Sequence, residues 1–288
     1  MLVITNAAAG GSDRVEAALA VLRGADADVE VVATGTPADC AAAVGRLDER
    51  RVVVCGGDGS VHTVVEALHR AGMLDRPVGL IPLGTGNDLA RAIGLPLDPA
   101  AAARVVLDGR PRRLDLLVDD SGSVVVNVVH LGIGAEGARR GKPLKPAIGA
   151  TAYAVGAAAA GVTSAGWSVR VEVDGLVLHD ADEPVLLVAV ANGRSIGGGS
   201  ALAPRAEPDD GLADVIVATS TGPLARLGFA VAMPGGEHVQ REDVASVRGR
   251  VVRVSGDEIP VNADGELGAS STDRTWTVDA GAWSLLVP

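Results

Sequence analysis

The sequence predicts an α/β domain followed by an all-β domain. Through residue 118, short apolar runs alternate with helix-like segments, the rhythm of βαβα units around a parallel sheet. From residue 124 onward strand follows strand, which points to a separate β-rich domain. Two glycine-rich turns in the first half each join the end of an apolar strand to the start of a helix.

Taken in order, residues 2–4 form a short apolar strand, and the turn 6–13 ends in Ser12 and Asp13, good N-cap residues for a helix running to about residue 22. Residues 29–33 are the next strand and 34–36 a turn. Pro37 then sits near the start of a helix through residue 47, where proline is tolerated. The strand 51–55 enters Gly56-Gly57-Asp58-Gly59-Ser60 and a helix. Strand 78–81 leads through Pro82-Leu83 into Gly84-Thr85-Gly86-Asn87-Asp88 and a helix beginning near Leu89. Glycines allow close approach of the backbone to a ligand, and the following helix N-terminus suits phosphate oxygens. Either turn alone is compatible with a merely tight connection; adjacent turns of one sheet are more specific. Asp58 is out of place beside phosphates unless a divalent cation intervenes, which suggests a magnesium-bound nucleotide.

After a loop at 95–99 come a short helix at 100–107 and a strand at 112–118 containing Asp115. Strands follow at 124–129, 169–173, 177–179, 185–191 and 213–219, with Asp174-Gly175 as a turn. One helix, expected within the uncharged run 146–169, interrupts them. It is preceded by Lys142 and Lys145, the only lysines in the chain, and is too rich in alanine and glycine for a membrane span. Near the end, Val261-Asn262-Ala263-Asp264-Gly265-Glu266 allows two readings. If extended, it places the carboxylates of Asp264 and Glu266 on one face, where they can converge on a proton; Asp-Gly is also a hairpin signal. The tail 276–288 alternates as strands do.

Composition bounds the partners. A formal net charge of -11 argues against nucleic acid and against electrostatic adhesion to anionic membranes, leaving at most transient membrane contact. Cys40 and Cys55 are expected as buried thiols with no disulfide, and the N-terminus lacks a signal-peptide pattern, so a cytoplasmic location is expected. The five histidines show no metal spacing and are expected to pack.

The turn at 56–60, followed by Pro82-Leu83-Gly84-Thr85-Gly86-Asn87-Asp88-Leu89-Ala90-Arg91, resembles the catalytic domain of diacylglycerol kinases and bacterial soluble lipid kinases. Sphingosine and ceramide kinases share it; NAD kinases share the first turn but not the second. The resemblance spans nearly the whole chain. It implies an N-terminal Rossmann-like α/β domain of the NAD kinase/diacylglycerol kinase type, residues 1–118 with the tail at about 279–288. A C-terminal β-sandwich-like acceptor domain would cover 119–278, with the active site in the cleft between them.

ATP and Mg²⁺ are the implied cofactors. Asn6, Thr34, Gly56, Gly57, Gly59, Ser60, Gly84, Thr85, Gly86 and Asn87 are the implied nucleotide contacts. Asp58 would hold phosphate-bound metal; Asp88, Arg91 and Asp115 match a supporting charge network, although structural ion pairing explains them equally well, and Lys145 matches a lysine near the nucleotide in that network, with a solvated helix end as the equal alternative. The relatives' Asn-Pro-x-x-Gly-Lys turn keeps Asn6 and Gly10 here but has Ala7 and Gly11 for its proline and lysine, leaving Arg14 as the nearest cation.

The stretches 192–199 and 203–212 resemble the second-domain signature, in which Glu207, Asp210 and the Leu212 carbonyl would bind magnesium. By resemblance to the Asp-Gly-Glu motif, Asp264 is the base that deprotonates the acceptor hydroxyl and Glu266 assists. The implied acceptor is diacylglycerol or a related lipid. A soluble or secondary-metabolite hydroxyl is the alternative, and a non-catalytic nucleotide-binding regulator a further one. A homodimer is allowed for.

Overall fold

The computed structural model describes residues 1–6, 12–25, 28–141 and 165–288. Lys142, Lys145 and the helix expected from residue 146 fall outside these residues up to 164. The chain divides into two compact units: Met1–Leu116 with Pro208–Asp210 and Asp279–Pro288, and Leu117–Glu207 with Gly211–Val278.

The first unit contains β1 (Leu2–Asn6), α1 (Ser12–Gly24), β2 (Glu30–Thr34), α2 (Pro37–Val44), β3 (Val52–Gly56), α3 (Asp58–Arg70), β4 (Val78–Pro82), α4 (Asp88–Ala92), α5 (Pro99–Asp108) and the start of β5 (Arg110–Asp119). Its strands are parallel in the order β2-β1-β3-β4. Every residue of β3 and β4 is buried, which is why both read as unbroken apolar runs: helices cover both faces of a parallel sheet. Val3, Leu22, Val53, Ile81 and Val106 share one core, and α5 lies so close to β4 that a Cβ on Gly79 would come within 2.9 Å of a Val106 methyl. The helix starts follow local chemistry. Thr36 and Asp39 form a reciprocal capping box on α2, with Pro37 in its first turn, and Asp98 caps α5 through the Ala101 N–H at 2.8 Å. Helix α2 stops at Val44, short of the expected end at residue 47.

Residues 208–210 belong with this unit because they are tied to β5. The Asp115 N–H donates to the Pro208 carbonyl at 2.7 Å, and Arg112 Nε and Nη2 reach Asp209 Oδ2 at 2.7 and 2.6 Å.

The second unit holds β6 (Val124–Val125), β7 (Val128–Gly132), α6 (Ile133–Gly141), β8 (Val169–Val173), β9 (Leu176–His179), β10 (Leu187–Ala191), β11 (Ala213–Ala218), α7 (Pro223–Ala232), β12 (Val244–Gly249), β13 (Val251–Ile259), β14 (Val261–Ala263), β15 (Glu266–Leu267) and most of β16 (Ser271–Val287). Six antiparallel strands run β12-β11-β10-β7-β14-β15, and within this unit β16, β13, β8 and β9 make a second antiparallel set. Val129, Val188, Val190, Val215 and Val217 from the first set meet Val169, Val171, Val173, Val252, Val254 and Trp276 from the second in one sandwich core. The opposite face of β10 and β11 supplies Leu187, Ala189, Ile216 and Ala218 to another core with Leu202, Ala203 and Phe229. Period-two alternation thus feeds two cores from single strands.

The expected strand at 124–129 is interrupted. β6 ends at Val125 and β7 begins at Val128, because the N–H groups of Val126, Asn127 and Val128 donate to the side chain of Asp264. The tail is one long strand, β16, whose last residues return to the first unit and run parallel to β4 at Leu285 and Val78. The sequence pattern predicts neither helix α7 nor strands β12 and β13.

His130, on β7, is a buried packing residue. Burial pushes its imidazole down to about 4 from 6.5, so it is neutral in the folded protein. The unfolded chain takes up a proton near pH 6.5 that the folded chain accepts only near pH 4. Stability from this group is therefore complete above 6.5 and falls as pH drops through that window, by about 2–4 kcal/mol. His130→Gln should flatten that part of the stability–pH curve, measured by urea unfolding at stepped pH.

Candidate active site

Strands β3 and β4 are neighbours, so the turns that follow them lie side by side, and they interlock. A Cβ on Gly84 would lie 2.6 Å from the Gly57 Cα and 2.9 Å from Asn87 Oδ1; one on Gly57 would lie 2.9 Å from the Gly84 Cα. The two backbones touch where side chains would normally stand. Gly56 is constrained from the other side, since a Cβ there would come within 2.3 Å of Ser60 Oγ. Gly84→Ala should therefore push the turns apart, costing about 1–3 kcal/mol and weakening nucleotide binding about tenfold or more. Thermal melting and nucleotide titration check both.

Helix α3 starts from Gly57 with no side-chain hydrogen bond capping it, the open terminus an anion would use. Helix α4 is capped from a distance. Asp58 Oδ2 accepts the Asp88 N–H at 3.0 Å and Oδ1 accepts the Leu89 N–H at 3.1 Å, so the acid of the first turn fastens the second. Asn87 takes the left-handed conformation, with φ 51°, and its Nδ2 closes the turn on the Gly84 carbonyl at 2.8 Å. Its Oδ1 is buried with no hydrogen-bond partner among the described residues. Thr85 is exposed, and the Gly86 carbonyl accepts Arg91 Nε at 3.1 Å.

Asn6 and Thr34 end strands β1 and β2, and Thr34 Oγ1 donates to the Thr5 carbonyl at 3.3 Å. Arg14, in the first turn of α1, reaches the carbonyls of Pro82 and Leu97 at 3.3 Å and of Leu83 at 3.5 Å, placing a guanidinium beside the second turn. Asp88 and Asp115 are both buried. Asp115 Oδ1 accepts the Gly281 N–H at 2.7 Å and its carbonyl accepts Trp283 Nε1 at 3.2 Å, fastening the returning C-terminal segment. Lys145 lies outside the described residues.

In the second unit the segment 261–266 is not extended, contrary to the same-face expectation for Asp264 and Glu266. Ala263 pairs with Glu266 across a two-residue turn in which Asp264 and Gly265 have φ 50° and 87°, both positive, as a type I′ hairpin requires. The turn nonetheless sets Asp264 in a defined place. Its Oδ2 accepts the Val126 N–H at 2.7 Å, and Oδ1 accepts those of Asn127 and Val128 at 2.9 and 3.0 Å, while its own N–H donates to the Val128 carbonyl. Glu266 is exposed.

Sequence reasoning missed the residues that brace this carboxylate. Asn127 Nδ2 donates to the Ser195 carbonyl and Asn192 Nδ2 to the Val126 carbonyl, while the N–H groups of Asn192 and Gly193 donate to the Asn127 carbonyl. An asparagine in the middle of a valine run was the available signal.

Glu207 faces Arg194 at 3.5 Å. No group of three or more His, Cys, Asp or Glu side chains among the described residues is placed to hold a metal. Cys40 and Cys55 are free, buried thiols, pushed by burial up to about 11 and about 12. No helix among the described residues is long and apolar enough to cross a membrane.

Residues 1–118 match the diacylglycerol kinase catalytic domain, and residues 127–287 match the YegS C-terminal NAD kinase beta sandwich-like domain. A "Probable lipid kinase YegS-like" protein of Pseudomonas aeruginosa is 33% identical over 276 residues, 92% of this chain and 87% of that protein. A "Diacylglycerol kinase" of Mycobacterium tuberculosis is 34% identical over 275 residues, 91% and 87% of the two chains. A "Probable lipid kinase YegS-like" protein of Chromohalobacter salexigens is 37% identical, the match covering 58% of this chain and 53% of that one. In fold, a crystal structure of a diacylglycerol kinase from Bacillus anthracis superposes with a TM-score of 0.75 at 23% identity, covering 100% of this chain and 96% of that one.

Proposed function

We propose, for a chain that belongs to the diacylglycerol kinase family, that it transfers the γ-phosphoryl group of ATP to the hydroxyl of diacylglycerol or a closely related lipid. The observation that carries this reading is the interlocked pair of glycine turns beside the uncapped start of α3. Two backbones stripped of side chains, a helix N-terminus and a nearby guanidinium suit a polyphosphate. Gly56, Gly57, Gly59, Ser60, Gly84, Thr85 and Gly86 would line the phosphates, Asn6 and Thr34 would contact the same nucleotide, and Arg14 would supply positive charge where relatives carry lysine. The buried Asn87 Oδ1 is suited to accept a donor from it.

Asp264 would take the proton of the acceptor hydroxyl, its carboxylate held in one orientation by three backbone N–H donors. Glu266, exposed on the second strand of the hairpin, would assist. Mg²⁺, when bound, would supply positive charge to the phosphates. A separate magnesium ion of the second-domain signature would be held by the hard oxygens of Glu207, Asp210 and the Leu212 carbonyl. Asp58, expected to hold phosphate-bound metal, uses both of its oxygens to cap α4. Buried free thiols agree with a cytoplasmic, reducing location.

The test is transfer of radiolabelled γ-phosphate from ATP with Mg²⁺ to a panel of mixed-micelle lipids and soluble alcohols. Label on diacylglycerol supports the reading. Label on a soluble alcohol alone replaces it with a metabolite kinase, and ATP binding without any product replaces it with a regulatory nucleotide-binding role.

A further inference from the structure

Helix α7 presents a face that the fold leaves in water. Its inner side is committed: Phe229 is buried beside Leu202 and Ala206 and meets the His238 ring edge-on at 5.2 Å. Gly228 admits Arg241, since a Cβ there would lie 2.5 Å from Nη1, and that guanidinium is fixed by Asp243 at 2.7 and 2.8 Å. The outer side carries Leu224, Leu227 and Val231, which are 85%, 62% and 73% exposed. Their spacing of three and four residues puts them on one helical stripe, where a solvent-facing helix would carry charge.

The surrounding sequence matches that stripe. Although the chain has 36 acidic residues, none lies between Asp214 and Glu237, and Arg226 is the one charged residue in the interval. On a protein of net charge -11 the helix itself therefore brings no acid to its exposed face, and the acid packed beside it, Asp243, is paired with Arg241, which limits repulsion where the helix would meet anionic head groups.

A second copy of the chain is a poor occupant. Ten residues of helix span about 15 Å, and one face of that length falls far short of the roughly 800 Å² per partner of a stable dimer. A bilayer needs no complementary shape and accepts a short apolar stripe as a reversible anchor.

We infer that α7 is a bilayer-docking helix, which lays Leu224, Leu227 and Val231 into the boundary between head groups and acyl chains. The inference rests on the lipid-acceptor reading, since a kinase for such a hydroxyl must visit the surface that holds it. Because the contact is apolar, docking tolerates high salt.

Vesicles of equal parts phosphatidylcholine and phosphatidylglycerol provide the test. Wild-type protein should co-sediment with them at low and high salt, and the combined variant Leu224→Ser, Leu227→Ser, Val231→Ser should partition about tenfold or more weaker with an unchanged melting temperature. A Leu224→Cys protein carrying an environment-sensitive fluorophore should shift to the blue on adding vesicles; Cys40 and Cys55 are buried and stay unlabelled. Equal vesicle binding by wild type and the triple variant, or no binding by wild type, overturns the inference. So does a concentration-dependent dimer that the triple variant abolishes. Phosphorylation of a short-chain, water-soluble diacylglycerol separates the two claims. Activity on it without vesicle binding removes the docking helix and keeps the kinase, whereas vesicle binding without phosphorylation of any lipid removes the kinase reading and keeps the helix.

Discussion

Asp264→Asn is expected to lower the rate of phosphoryl transfer by about 10²–10⁴-fold while leaving ATP affinity near the wild-type value. The separation of effects follows from where the groups sit. Asp264 belongs to the β14–β15 hairpin of the second unit, whereas the glycine turns belong to the first. The substitution also has a structural cost. The carboxylate accepts three backbone N–H bonds, and an amide presents a donor on one side, so at least one of Val126, Asn127 and Val128 loses its acceptor. About 1–3 kcal/mol of stability should go with it. Single-turnover kinetics, nucleotide titration and thermal melting read the three quantities. Asp264→Gly keeps the positive φ without strain, and added formate should restore part of its transfer rate if the missing group is a base. Undiminished turnover in the asparagine variant would remove Asp264 from the chemistry.

What was legible beforehand was local. The buried parallel strands β3 and β4 announce themselves as continuous apolar runs, the glycine turns as strand-to-helix punctuation, and Asp264-Gly265 as a hairpin dipeptide. What was not legible came from far along the chain. The valine run from Val124 has every local property of one strand, and it breaks only because a carboxylate more than 130 residues later takes its N–H groups. The short segment 208–210 reads as part of the β-rich half, yet it is fastened to Arg112 and Asp115. Asp58 was legible as an anomaly, but its role was not. An acid in a phosphate turn suggests a cation, and nothing local reveals that a helix beginning thirty residues later supplies N–H groups instead. Patterns of period and turn chemistry act over a few residues; side-chain caps between elements do not.

Asp58 is also the residue whose replacement best discriminates between these two roles. Were its purpose only to hold a phosphate-bound cation, Asp58→Ala would leave the nucleotide-free protein as stable as before and remove metal-dependent binding alone. The geometry predicts otherwise. Both carboxylate oxygens accept N–H groups from the first turn of α4, where Asp88 and Leu89 are buried. Removing them strands two donors and the positive end of the helix, a loss of about 2–4 kcal/mol measurable without any ligand. Asp58→Asn keeps one acceptor oxygen and should fall between. Because α4 follows directly from Gly84, Thr85, Gly86 and Asn87, loosening its start loosens the second turn, and nucleotide affinity should drop about tenfold or more in the alanine variant even when magnesium is withheld. Melting curves of the nucleotide-free proteins decide the matter: a Tm equal to wild type in both variants returns Asp58 to the cation, and a graded fall from aspartate through asparagine to alanine identifies it as the clasp that holds one phosphate turn against the other.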